Sequence, residues 1–293
     1  MQLEFYTDPA VFLDVAREHL TEQPVVSTVV ASVAQRAVVD LAEGVTQGPR
    51  NWYAVARSGS EVRGVAMRTA PFAARPLFLL PMSPECALLL ARTLYERGEG
   101  VGAVNGALPA ARVLADETAR LAGGSVEVAQ HTRLFELGEL VEPAAVPGRL
   151  RPAVRGDLDV ATAWFDAFMR DADEQAGRQP GSSAHEAPDE ADMLRRIDRR
   201  RIWLWEDESG EVVHLTGANA PAFGVARVGP VYTPKARRGH GYASAAVAEV
   251  SRQIVASGSR ACLFTDQANP TSNKIYEALG YRPVVDMANL LIA

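Results

Sequence analysis

Val231-Tyr232-Thr233-Pro234-Lys235-Ala236-Arg237-Arg238-Gly239-His240-Gly241-Tyr242-Ala243 follows an apolar stretch beginning near residue 226 and leads into Ala243, Ala246, Val247, Val250 and Ile254, which recur at helical spacing. The pattern reads as strand, loop and helix, with Gly258 as the helix stop. Gly239 and Gly241 remove side chains where a ligand would approach the backbone, and the unpaired N–H groups of a helix's first turn favour an anion. Lys235, Arg237 and Arg238 add positive charge. The stretch is therefore expected to be a phosphate cradle at a strand-to-helix turn.

Three phosphate-binding patterns are compared with it. A P-loop requires Gly, four residues, then Gly-Lys followed by Ser or Thr, and the chain has no such string. A dinucleotide fingerprint requires three glycines, but Gly239-His240-Gly241-Tyr242-Ala243-Ser244 ends in serine and has no clear acidic ribose partner; this reading stays weakly open. The third pattern is an acyl-coenzyme-A loop, of Arg or Gln, two residues, Gly, one residue, then Gly or Ala, which Arg238-Gly239-His240-Gly241-Tyr242-Ala243 resembles.

A second stretch bears on the choice: Leu263-Phe264-Thr265-Asp266-Gln267-Ala268-Asn269-Pro270-Thr271-Ser272-Asn273-Lys274-Ile275-Tyr276-Glu277-Ala278-Leu279-Gly280-Tyr281. Asn269 suits an N-cap, Pro270 the first helical position and Gly280 the end, so a short helix is expected. Helical spacing puts Asn269, Ser272, Asn273 and Tyr276 on one polar stripe, with Ile275 and Leu279 facing elsewhere.

Together the two stretches resemble the donor-site motifs of the GNAT superfamily of acyl-CoA-dependent N-acetyltransferases. The resemblance implies a sheet whose two motif strands splay to admit the pantetheine arm of acetyl-CoA, the co-substrate. Backbone groups of Val231, Tyr232 and Thr233 would contact that arm. Arg237, Arg238, Gly239, His240, Gly241, Tyr242, Ala243 and Ser244 would surround the pyrophosphate. Asn269, with Ser272 and Asn273 beside it, would contact pantetheine, and Tyr276 would protonate the departing thiolate. The implied reaction is direct attack of an amine on the thioester. A CoA-binding regulatory or scaffold protein without turnover is the alternative.

The first half repeats the order of the second. Residues 52–57 and 62–68 flank the turn Ser58-Gly59-Ser60, a strand follows at 77–80, a helix carries Cys86, Leu89, Leu90, Thr93 and Leu94, and a strand at 101–104 precedes a helix from Pro109, closed by Gly123-Gly124. In the second half, strands at 202–206, 212–217 and 226–233 precede the loop. Aligned by hand, the first half is about eight residues short at the Gly-rich loop, with Leu108 opposite Asn269 and Ala115 opposite Tyr276. The expected fold is thus α/β (α+β): two tandem GNAT-like domains, 1–147 and 148–293, each a mixed, mostly antiparallel sheet flanked by helices, the first a degenerate copy.

Composition limits the remaining options. A chain of 293 residues with 47% hydrophobic content suits two domains. A net charge of −6 disfavours a nucleic-acid partner, and no run approaches a membrane span or signal peptide, so a cytoplasmic protein is expected. The two cysteines, Cys86 and Cys262, lie in apolar segments without metal-ligand spacing, so no metal is expected. The expected partners are acetyl-CoA or CoA and an amine acceptor, with a homodimer possible.

No carboxylate lies on the strand at 226–233 to deprotonate the acceptor, which leaves Asp171, Asp173, Glu174 or a water chain as the base. His214 reads as a half-buried structural histidine on a strand facing the acceptor, and Trp164, Trp203 and Trp205 as core residues. Residues 175–192, with Asp189, Glu190 and Asp192, read as a surface loop whose acidity would suit a cationic acceptor.

Overall fold

The computed structural model describes residues 1–45, 51–69, 76–175 and 188–293. They form two compact units, Met1–Leu134 with Val284–Ala293, and Phe135–Pro283.

The first unit opens with β1 (Gln2–Tyr6), α1 (Pro9–Glu22) and α2 (Thr28–Ala42). Asp8 caps α1 by accepting from the Ala10 amide at 2.8 Å, and Pro9 takes the first turn, where a missing N–H costs nothing. The expected hairpin is β2 (Trp52–Ser58) with β3 (Glu61–Arg68), and Gly59 supplies the positive φ of its turn. Then come β4 (Leu77–Leu79), α3 (Pro84–Glu96), β5 (Ala103–Ala107), α4 (Ala110–Ala122) and β6 (Val126–Leu137). Gly123 ends α4 in the left-handed conformation, as its position predicts. Strands β1 to β5 pair in chain order, antiparallel except for the parallel pair β4/β5. Phe12 of α1 stacks on Tyr53 at 4.4 Å on one face of this sheet. On the other face, Leu90 and Leu94 of α3 and Leu114 of α4 pack with Ala54, Leu77, Leu79 and Val104. Truncating a leucine so buried costs about 2–5 kcal/mol.

The second unit contains β7 (Arg149–Pro152), α5 (Leu158–Gln175), α6 (Glu190–Asp198), β8 (Ile202–Glu206), β9 (Val212–Ala218), β10 (Val225–Tyr232), α7 (Tyr242–Ala256), β11 (Arg260–Asp266) and α8 (Pro270–Ala278). Its strands pair in the order β7-β8-β9-β10-β11, antiparallel except for the parallel pair β10/β11. Met193 and Ile197 of α6 cover Ile202, Leu204 and Leu215 on one face, while Val247 and Val250 of α7 cover Trp203, Ala226 and Leu263 on the other. Each unit is thus a mixed, mostly antiparallel sheet between helices, the expected fold class.

The last strand, β12 (Tyr281–Ile292), pairs its residues Met287 to Leu291 antiparallel with β5. Of the residues that the sequence reading assigns to 148–293, Val284–Ala293 therefore pack with the first unit. Residues 135–147 pack with the second. The surface loop expected at 175–192 lies outside the described residues over 176–187, and its end is helical: Asp189 caps α6 through the Asp192 amide at 2.7 Å. Both cysteines are buried and neither is in a disulfide, and Trp203 and Trp205 are core residues as expected.

Candidate functional site

The site begins where β10 and β11 part. Their parallel pairing runs from Val225↔Arg260 to Val228↔Leu263 and ends there, although β10 continues to Tyr232 and β11 to Asp266. Gly229-Pro230 lies at that point. On the β9 side, three steps of β10 from Val228 to Val231 match two steps from Ala218 to Thr216, which is a bulge, and proline has no N–H to offer a ladder. Backbone groups of Val231 to Thr233 and of Phe264 to Asp266 thus border a wedge between diverging strands.

The wedge leads to the glycine loop. A short 3-10 turn, Lys235–Arg237, follows Pro234, and Gly239 and Gly241 both adopt φ of 83°, a conformation that favours glycine. Gly241 is the N-cap of α7, and no side chain caps that helix. Its first-turn amides, including those of Tyr242, Ala243 and Ser244, have no partner within the helix and are left for an anion. A Cβ on Gly239 would stand in open space, whereas one on Gly241 would lie 2.9 Å from the Val146 side chain. His240 is exposed, its ring stacked on Tyr242 at 5.6 Å and its Nδ1 3.0 Å from the Arg238 carbonyl oxygen.

The positive charge of the loop is not free. Arg238 donates to Asp171 at 2.6 Å and to the Thr233 carbonyl at 3.0 Å. Arg237 pairs with Glu211, and Lys235 pairs with Glu174 and lies 3.5 Å from Asp171. Two of the three suggested bases, Asp171 and Glu174, are therefore engaged by the loop itself, and Asp173 is fully buried. Tyr232 turns its ring toward α5, edge-on to Trp164 at 6.0 Å, with its hydroxyl 3.4 Å from Asp171. Burial first, then the Asp171 charge, holds that phenol above its usual range. Only the backbone of Tyr232 borders the wedge.

His214 is fully buried rather than half-buried. Its ring nitrogens lie 2.7 Å from the Thr233 hydroxyl and 2.6 Å from the Thr216 hydroxyl, and burial pushes its pKa down to about 3. A neutral ring held between two hydroxyls anchors the end of β10 and is no base at neutral pH.

The α8 stripe divides in two. Asn269 spends its side-chain oxygen on the Ser272 amide at 3.1 Å, as an N-cap should. Asn273 donates to the Asp266 and Gln267 carbonyls, each at 3.4 Å, and its own side-chain oxygen is buried without a partner. Tyr276 does not share that polar surface. It is the one buried residue of α8, 7% exposed, edge-on to Tyr281 at 6.1 Å and packed with Leu263 and Leu279. The heptad spacing from Asn269 is right, but the short helix turns this position onto the sheet, where burial drives the phenol's pKa well up.

A second orphaned acceptor, the Thr265 hydroxyl, sits in the part of β11 beyond its pairing with β10. Two buried polar atoms without partners beside a wedge of unladdered backbone suit an amide-bearing extended chain such as pantetheine. The uncapped helix end suits the pyrophosphate at one end of that chain. Among the described residues no His, Cys, Asp and Glu group could hold a metal, and no helix is long and apolar enough to cross a membrane.

The sequence reading overlooked α6, β6, β12 and the pairing of every loop cation. The acidic residues expected in a surface loop are instead committed to α6, with Asp192 accepting from Arg196 at 2.9 Å.

Known proteins share this fold. The family model described as FR47-like protein matches residues 218–288, which span both motif helices. No curated protein matches the chain. Among solved structures, a GCN5-related N-acetyltransferase from Sphaerobacter thermophilus is similar over 98% of this chain and 94% of its own, with a TM-score of 0.61 at 16% identity. A tandem GNAT protein from the clavulanic acid biosynthesis pathway covers 100% of this chain and 98% of its own, with a TM-score of 0.54 at 13% identity. A GNAT-family acetyltransferase from Colwellia psychrerythraea covers 100% and 99%, with a TM-score of 0.53 at 11% identity. The chain has the GNAT fold, and its segment 218–288 is FR47-like.

Proposed function

We propose that the second unit binds acetyl-CoA and transfers its acetyl group to an amine, as a cytoplasmic N-acetyltransferase. The observation that carries this reading is the uncapped N-terminus of α7 standing at the end of the wedge between β10 and β11. The pyrophosphate lies on the amides from Gly239 to Ser244, and the pantetheine arm lies along Val231 to Thr233 with Asn273 and Thr265 beside it. The neutral amine attacks the thioester carbonyl carbon, the C–N bond forms, and an N–H near Thr233 steadies the oxyanion. The C–S bond then breaks, and the thiolate takes the Tyr276 proton. The ammonium proton leaves through Asp171, Asp173, Glu174 or water and restores the tyrosine.

Burial both helps and hinders that acid. It keeps Tyr276 protonated at neutral pH, yet it widens a gap to the thiol that already costs about 2 kcal/mol between free phenol and free thiol. The same burial, with two of the three carboxylates engaged, favours a second reading: a protein that binds CoA without turnover. Calorimetric titration of acetyl-CoA and CoA, followed by thiol release against a panel of amines, separates the readings. Binding with amine-dependent thiol release supports the transferase; binding without release supports the scaffold; no binding removes both. The first unit is proposed to be a degenerate copy without a donor site, and sedimentation analysis tests the homodimer.

A further inference from the structure

We propose that Val146 is a positioning residue for the phosphate cradle: it braces the N-cap glycine of α7 and so holds the first-turn amides in the orientation that receives an anion. This rests on the donor-binding reading above.

Gly241 has two reasons to be glycine. Its φ of 83° is one, and the Val146 side chain is the other, because a Cβ there would lie 2.9 Å from Val146 Cγ2. No side chain caps α7, so beyond the bond from the Ala245 amide to the Gly241 carbonyl at 3.0 Å no local hydrogen bond fixes the aim of its first turn. Packing has to do so, and on this flank the packing is Val146 and Leu150 with Tyr242 and Ala245, against Trp205, Val213 and Ala246.

Residues 142–148 form a strap tied at both ends. Arg252 on α7 pairs with Glu142 at 2.6 Å. At the other end the Trp205 indole donates to the Pro147 carbonyl at 3.1 Å. Gly148, at φ of 109°, is wedged where a Cβ would lie 2.1 Å from the Glu206 carbonyl oxygen. Between the ties, Pro143, Ala144, Ala145 and Val146 line a groove of about 340 Å³ together with Ala245 and Ala248. Of the strap residues lining that groove, Val146 is the one packed with Tyr242 and Ala245, which makes it the strap's bearing point on the cradle. A site whose support shifts by a fraction of an ångström loses binding even though every ligand contact is still present.

The test is calorimetric titration of CoA into the wild type, Val146→Gly and Trp205→Phe, with melting temperatures recorded. Val146→Gly should raise the Kd roughly tenfold and Trp205→Phe by less; Trp205→Phe, which hollows a core position, should lower the melting temperature more than Val146→Gly does. Pantetheine, which lacks the pyrophosphate, should compete equally well in all three; a general loosening of the unit would weaken it too. Gly241→Ala should lose less affinity in the Val146→Gly background than in the wild type, because the side chain it collides with is gone. Unchanged CoA binding by Val146→Gly, or losses that simply multiply, would overturn the proposal while leaving donor binding intact. Failure of the wild type to bind CoA would instead overturn the reading on which it rests.

Discussion

The two units use the same order of strands and helices and differ at one joint. In the first unit, β4 is paired with β5 along its whole length, Leu77↔Val104 to Leu79↔Gly106, and a Cβ on Gly106 would lie 2.5 Å from the Leu79 carbonyl oxygen. The helix that follows, α3, is capped by its own Ser83, whose hydroxyl accepts from the Cys86 amide at 3.3 Å. In the second unit the matching strands part after Val228↔Leu263, and the matching helix begins on a glycine with no cap. A closed ladder leaves no backbone for an extended ligand, and a capped helix has already satisfied an amide that an anion would use. On the proposed function, ligand binding is a property of what the second unit leaves unsatisfied.

The comparison can be broken most sharply at Gly241. Gly241→Asp sets a negative charge beside the free first-turn amides of α7, where it repels phosphate, and strains a backbone held at φ of 83°. CoA affinity should fall about a thousandfold, the equivalent of losing two or three charge-assisted hydrogen bonds, as read by calorimetry. Undiminished binding would remove the cradle from the account.

Tyr276→Phe keeps the ring in its apolar cluster and deletes the hydroxyl. If Tyr276 is the acid, kcat should fall about a hundredfold with CoA binding unchanged, in a thiol-release assay. If it is only a packing aromatic, kcat will hold.

His214 supports the open end of β10, and its effect should appear in the pH dependence of stability. Its pKa in the folded chain is about 3, against an ordinary value of 6.5, so the unfolded chain binds a proton that the folded one refuses. Its contribution is fully present above about pH 6.5 and is lost as pH falls toward 3, by up to about 1.4 kcal/mol per pH unit. Denaturant titrations of His214→Gln between pH 7 and 4 should have a shallower slope than those of the wild type.

The smallest effect is expected in the first unit. Ser83→Ala should cost about 1 kcal/mol of stability through the lost cap. It should create no CoA binding there, because β4 and β5 remain closed. A first unit that gained binding would mean that the cap, and not the ladder, keeps it silent.

Punctuation was the most legible part of the sequence. Asn269 and Pro270 start α8, Gly123 ends α4 and Gly59 turns the β2/β3 hairpin, because each acts through the backbone of its own few residues. The direction in which Tyr276 faces was not legible. Helical spacing relates it to Asn269 and Asn273 but says nothing about which side of a nine-residue helix meets the sheet. The engagement of Arg238 was hidden too, since Asp171 lies 67 residues away in the chain.

Sequence alone determined the strand-loop-helix order and the glycines between β10 and α7, since these depend on local conformation and spacing. Tertiary structure decided where β10 and β11 part, that the loop's cations are spent on carboxylates from α5 and β9's approach, that Tyr276 is buried, and that residues 284–293 pack with the first unit. Those outcomes depend on contacts between distant segments, whose energies no local window contains.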